Sequence, residues 1–174
     1  LKQVPHAVLW LFDKNRQVQG TLRQCAADQG VAPERLVFAE YAPLTEHLSR
    51  YRLADLFLDT APYNAHTTAS DALWVGLPVL TLSGRSFASR VGASLLSSLG
   101  LQELITHTLV DYENLALTLC NQPMRLQTLR EHVMQSPLRA DLFDGQRLAQ
   151  RMESAYSHIA QRHAQGLPPH SFQV

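Results

Sequence analysis

The sequence predicts an α/β fold, a doubly wound parallel sheet with a helical C-terminal extension, on three observations. Short apolar runs of strand length recur at residues 6–12, 36–38, 56–59 and 79–82. Segments with helical spacing of apolar residues separate them, and three of these segments run into Gly30, Gly76 and Gly100, glycine being the residue that most readily closes a helix. Strand and helix therefore alternate four times in the first hundred residues, the pattern that builds a parallel sheet through right-handed crossovers.

The elements follow in order. Leu1-Lys2-Gln3 reads as the tail of a helix stopped before Pro5, so the chain reads as a piece of a longer protein. Residues 6–12 (HAVLWLF) form a buried strand. Residues 17–29 form a helix with Val18, Leu22, Cys25 and Ala26 on one stripe. A short strand at 36–38 and a brief helix at 45–50 lead to the 56–59 strand, where Leu56-Phe57-Leu58 is too apolar for solvent. The 66–75 helix, the 79–82 strand and a helix at 86–99, with Ser86 as N-cap, come next. A short element is expected at 103–105. Beyond about residue 110 the strands stop: residues 111–120 and 124–133 read as helices, and 146–163 carries Leu148, Met152, Ala155, Tyr156 and Ile159 on one face. Gly166-Leu167-Pro168-Pro169 ends that helix. Residues 1–135 are expected to form the α/β domain and residues 136–174 a helical extension packing back on it.

Bulk properties narrow the function. At 174 residues and 45% hydrophobic, the chain can fill one core. Fifteen basic residues balance fifteen acidic ones, which argues against nucleic-acid or anionic-membrane partners. No apolar run approaches the ~20 residues that span a bilayer, and no secretory signal is present, so a cytoplasmic location is expected. Cys25 and Cys120 are expected to be buried thiols in a reducing compartment. The eight histidines show no HxxxH or HExxH spacing, and His158 and His163 fall on different helix faces, so no metal is expected. GxGxxG, GxxxxGK[ST] and GxSxG motifs are missing, which disfavours a dinucleotide oxidoreductase, a P-loop NTPase and an α/β-hydrolase.

The chemistry concentrates where the 56–59 strand gives way to the 66–75 helix. Ligands bind at the carboxyl ends of parallel strands, and a helix starting there offers free N–H groups and partial positive charge to a phosphate. His66, Thr67 and Thr68 occupy that position. Asp71, one turn later, shares a helix face with Thr67 and is suited to ribose hydroxyls. Thr68-Ala69-Ser70-Asp71 also fits a relaxed capping box, which would explain these residues without a ligand. Asp59 is a weaker candidate for ribose or for a turn cap. After the 36–38 strand, the loop at residues 42–47 carries His47, suited to stack on a base but read by itself as a surface residue. Arg50 and Arg90 read more simply as surface or ion-paired groups, and the Gly84-Arg85-Ser86 turn offers a further N–H cradle on the weak signal of a lone glycine.

Several runs together resemble a known family. Asn64-Ala65-His66-Thr67-Thr68-Ala69-Ser70-Asp71-Ala72-Leu73-Trp74-Val75-Gly76-Leu77-Pro78, then Ala88-Ser89-Arg90-Val91-Gly92-Ala93-Ser94, resemble the O-GlcNAc transferase/SPINDLY family, in the C-terminal part of the catalytic region of bacterial members that follow TPR repeats. Val4-Pro5-His6-Ala7-Val8-Leu9-Trp10-Leu11 and Ser136-Pro137-Leu138 extend the likeness over nearly the whole chain. The resemblance implies the C-terminal, Rossmann-like half of a GT-B glycosyltransferase, which holds the nucleotide sugar. His66, Thr67 and Thr68 then meet the diphosphate and sugar, Asp71 the ribose, and Ala42, His47 and Arg50 the base. Family members often carry a lysine where this chain has Leu44. The implied reaction is inverting, metal-independent transfer from a UDP-linked sugar to a protein Ser/Thr. No cofactor beyond that donor is expected. The partners implied are a protein acceptor, an N-terminal catalytic half holding the acid/base groups, and TPR repeats. A non-catalytic binding or scaffold module and a GT-B enzyme with a non-protein acceptor are the alternatives.

Overall fold

The computed structural model describes residues 1–13, 15–136 and 141–173. Strand β1 (Leu9–Phe12) pairs in parallel with β2 (Leu36–Ala39), Leu9 lying opposite Leu36 and Phe12 opposite Ala39. A second parallel ladder has β4 (Val79–Leu82) at its centre, with β3 (Phe57–Leu58) on one side and β5 (Ile105–Thr106) on the other. The strands thus form two parallel sheets, of two and three strands. The expected strand at 6–12 is shorter than its apolar run. Arg35 accounts for this: its guanidinium donates to the carbonyls of Leu1, Val4 and Ala7, drawing the first residues into turns in place of a strand or a helix tail.

Helices α1 (Arg16–Asp28), α2 (Leu44–Tyr51), α3 (Thr67–Trp74) and α4 (Val91–Ser98) alternate with the strands, and α5 (Leu109–Cys120), α6 (Pro123–Gln135) and α7 (Gly145–Ala164) follow them. The main core lies around β4. Val79 and Leu80 are fully buried, and Val79 belongs to one cluster with Leu73 of α3, Leu96 of α4, Leu119 of α5 and Val133 of α6. Each such side chain contributes about 1.5–3 kcal/mol through removal from water. Between α3 and β4 the chain must reverse within a few residues. Gly76 makes this possible at φ +85°, its N–H bonding to Leu73 and that of Leu77 to Ala72, the paired bonds of a Schellman cap.

Two expectations require correction. The helix expected over residues 86–99 is split: a single 3₁₀ turn, Phe87–Ser89, precedes α4. Ser86 and Ser89 close that turn with reciprocal side-chain-to-backbone bonds, so Ser86 caps the 3₁₀ turn and Arg90 begins α4. The cysteines are not buried; Cys25 and Cys120 are both exposed and free. For Cys25 the reason is the width of the first sheet. Two strands lie about 4.8 Å apart, whereas a helix with its side chains is about 10 Å across, so α1 buries none of its residues and Val18 and Leu22 stay open to solvent.

Helix α7 also buries none of its residues, and Leu148, Met152, Tyr156 and Ile159 form an exposed stripe along it. The tail returns alongside it, with Phe172 against His158 and Arg162 donating to the Pro168 carbonyl. Pro137 and Leu138, in the last family-like run, lie outside the described residues, and the division expected at residues 135/136 abuts them. Among the described residues no helix is long and apolar enough to cross a membrane.

Candidate functional site

The site is built where β3 ends. Asp59, the next residue, is only 2% exposed. Its Oδ1 accepts the Ala65 N–H at 2.6 Å and its Oδ2 accepts the Thr81 hydroxyl of β4 at 2.6 Å. Its own carbonyl accepts the Tyr112 hydroxyl of α5 at 2.8 Å. Burial pushes the Asp59 carboxyl above the usual carboxylate range, against the opposing pull of the Ala65, Thr81 and Thr60 donors and of His66. Burial, then the Asp59 charge, also raises the Tyr112 hydroxyl, which therefore stays a donor at neutral pH. Asn64 is buried beside this group. Its N–H donates to the Ala88 carbonyl at 2.9 Å and its Nδ2 to the Thr60 carbonyl at 3.0 Å. Asn64 Oδ1 has no hydrogen-bond partner among the described residues.

These bonds hold the turn that delivers His66 to the N-cap position of α3. The His66 ring stacks on Tyr63 (centroids 5.0 Å apart, planes at 20°) and meets Phe87 edge-on at 6.0 Å. Its Nε2 lies 3.4 Å from the Ala88 carbonyl. Leu58, Thr60, Tyr63, His66, Thr67 and Thr68 line a cavity of about 470 Å³. The first helical bond of α3 runs from Ser70 N–H to the His66 carbonyl, so the amides of Thr67, Thr68 and Ala69 precede it. No side chain among the described residues caps the helix start. The alternative capping box of Thr68 and Asp71 therefore does not form: Thr68 already lies inside the helix, two residues past the N-cap position held by His66.

Structure thus brings His66, Thr67 and Thr68 together on one cavity. Asp71 is half-buried one turn along α3. Burial, then the Asp71 charge, raises the Tyr51 hydroxyl of α2. His47 packs on the same Tyr51, with ring centroids 4.6 Å apart. Ala42 is buried just before α2, and Leu44, at its first position, is exposed. Arg50 is occupied, donating to the Glu40 carbonyl at 2.6 Å and pairing with Glu46 at 2.5 Å. Among the described residues no cluster of three or more His, Cys, Asp or Glu is placed to hold a metal ion. The residue that sequence reasoning undervalued is Asp59. An aspartate closing a strand that is too apolar for solvent was the available signal, since such a carboxylate must find buried donors.

Fold and crevice define a class: a parallel α/β protein that turns an uncapped helix start and an imidazole into a crevice at the carboxyl edge of its strands. The model of Glycosyl transferase family 41 matches residues 1–152, and the chain belongs to that family. It is 37% identical to the probable UDP-N-acetylglucosamine–peptide N-acetylglucosaminyltransferase SEC of Arabidopsis thaliana, over 100% of this chain and 18% of that protein. It is 35% identical to the UDP-N-acetylglucosamine–peptide N-acetylglucosaminyltransferase of Caenorhabditis elegans, over 97% of this chain and 15% of that one. Among solved structures, a mutant O-GlcNAc transferase of Thermobaculum terrenum superposes with TM-score 0.82 and 37% identity, over 90% of this chain and 31% of that chain. The chain therefore spans less than a fifth of the length of these curated relatives. The superposition bears out the expected Rossmann-like α/β class.

Proposed function

We propose that this chain is the nucleotide-sugar-binding part of an inverting, metal-independent protein O-glycosyltransferase that moves a sugar from UDP to Ser/Thr hydroxyls. The observation that carries the proposal is the His66–Thr68 cavity, where an imidazole and the unbonded amides of a helix start converge. In this reading the Thr67 and Thr68 amides and hydroxyls and His66 hold the diphosphate. They stabilise the negative charge that grows on the leaving nucleoside diphosphate as the glycosidic bond breaks. Asp71 accepts the ribose hydroxyls, while His47 and the backbone at Ala42 flank the base. Arg50, tied to Glu40 and Glu46, holds that loop in shape. The acid/base groups and the acceptor site belong to an N-terminal catalytic half, preceded by TPR repeats. The setting is cytoplasmic. Names of the relatives support GlcNAc as donor sugar and a peptide as acceptor.

Calorimetric titration of the full-length protein with UDP and with GDP tests the reading. Binding of UDP in preference to GDP is expected, and a folded protein that binds neither at millimolar ligand would refute it. Leu44, exposed and apolar at the start of α2, favours a second reading in which the module binds a nucleotide without turnover. Sugar transfer to a peptide library by the full-length protein separates the two.

A further inference from the structure

We propose that Asp59 is a positioning residue for the donor diphosphate, fixing through the Ala65 amide the turn that aims His66 and the Thr67 and Thr68 amides into the crevice. The inference rests on the donor-site reading above and adds to it a residue that never touches the ligand. At 2% exposure Asp59 lies beneath the cavity and not in it. Yet both carboxylate oxygens are used: one on the residue immediately before His66, the other on Thr81 of the central strand. Thr81 is itself tied down, its carbonyl accepting the Thr106 hydroxyl of β5 at 2.9 Å. Tyr112 holds the Asp59 backbone from α5. The fourth side is closed by Gly92 of α4, where an added Cβ would lie 2.6 Å from Asp59 Oδ2 and 2.7 Å from Thr81 Oγ1. The carboxylate therefore has no room to swing away from Ala65.

Burying a carboxylate costs several kcal/mol unless donors offset it. Asp59 belongs to none of the three ion pairs among the described residues; hydroxyl and amide donors alone hold it. That arrangement transmits geometry: the turn is referenced to β4, the most deeply buried strand, through one side chain. Displacement of a binding group by 1 Å is enough to cost up to about a hundredfold in a preorganised site. A residue that served only the fold would alter stability while leaving the relative affinities of nucleoside and nucleotide unchanged.

The test uses the full-length protein and two probes, UDP and uridine, with folding checked by circular dichroism. Asp59→Ala is expected to weaken UDP by about tenfold or more while changing uridine by less than about twofold, because the misplaced groups face the diphosphate. Asp59→Asn keeps an acceptor for Ala65 and is expected to retain UDP affinity within about threefold. Thr81→Val, nearly isosteric, frees Oδ2 and is expected to weaken UDP by about threefold with uridine unchanged. Equal weakening of UDP and uridine by Asp59→Ala, or by Thr81→Val should the first variant not fold, overturns the proposal. So does unchanged UDP affinity, or an Asp59→Asn protein as weak as Asp59→Ala. Wild-type protein that binds no UDP refutes the donor-site reading itself, whereas wild-type binding with an unaltered UDP-to-uridine ratio in the variants refutes this inference alone.

Discussion

Replacing Gly92 by alanine puts the packing beneath the crevice to a quantitative test. Gly92 lies in α4, where alanine is intrinsically favoured over glycine by about 1 kcal/mol. The new methyl would sit 2.6 Å from Asp59 Oδ2 and 2.7 Å from Thr81 Oγ1, about 0.8 and 0.7 Å inside an ordinary 3.4 Å contact. Neither oxygen can retreat, since each is held in a 2.6 Å bond to the other. Overpacking of this kind costs about 1–3 kcal/mol. Weakening a charge-assisted bond of a buried carboxylate adds about 1.5–3 kcal/mol. Against the propensity gain, the net expectation is destabilisation by about 1.5–5 kcal/mol. Gly20 in α1 supplies the control, because an added Cβ there meets nothing within 4 Å. Gly20→Ala should therefore stabilise by about 0.5–1 kcal/mol. Urea unfolding followed by far-UV circular dichroism, with matched m-values, measures both. A Gly92→Ala protein as stable as wild type would refute the tight contact and, with it, the account of how Asp59 is held.

Three further outcomes follow from the same geometry. Asp71→Ala should weaken UDP by about 10–100-fold, as expected for a charged group losing its ribose partner, while shifting folding stability by less than about 0.5 kcal/mol; calorimetry and urea unfolding compared side by side decide, and the reverse ordering would assign Asp71 to the fold. Leu44→Lys, at an exposed position at the start of α2, should tighten UDP by about 2–10-fold at low salt; unchanged affinity would show that this position does not reach the nucleotide. Asp59, whose folded pKa lies above its unfolded value, keeps its proton in the folded state where the unfolded chain has already lost it. Folded protein therefore binds more protons in that window, and wild-type stability relative to Asp59→Asn should fall as pH rises from the unfolded value of 3.8 through the raised folded one. Urea titrations of both proteins from acid to neutral pH would expose a flat or rising difference as a contradiction.

Local chemistry made much of the fold legible. The 79–82 run is apolar on every residue but Thr81, because β4 is buried on both faces, and Gly76 marks the one place where the backbone adopts the left-handed conformation between α3 and β4. What failed to show was decided by how side chains and strands pair, which the spacing of apolar residues does not report. The break at Arg90 depends on Ser86 and Ser89 bonding to each other, a pattern that reads as a simple N-cap until both hydroxyls are placed. The exposure of Cys25 depends on how many strands lie beneath α1, which helical periodicity does not report. The meeting of His66, Thr67 and Thr68 on one cavity was readable because a strand end, a polar turn and a helix start are contiguous. Asp59 was not, because its role is defined jointly by Ala65, Thr81 and Gly92 on three other segments.

The open start of α3 has a consequence for how the protein responds to its surroundings. Where a serine or aspartate would close a helix permanently, no side chain among the described residues does so here, and under the proposed donor-site reading closure falls to the diphosphate. The order of this segment then becomes a function of ligand concentration: at a hundred times the dissociation constant, occupancy contributes about 2.7 kcal/mol of stability. Donor supply would be legible as slowed hydrogen exchange at Thr67, Thr68 and Ala69 before any chemistry took place, so that a starved protein differs from a supplied one in structure as well as in turnover.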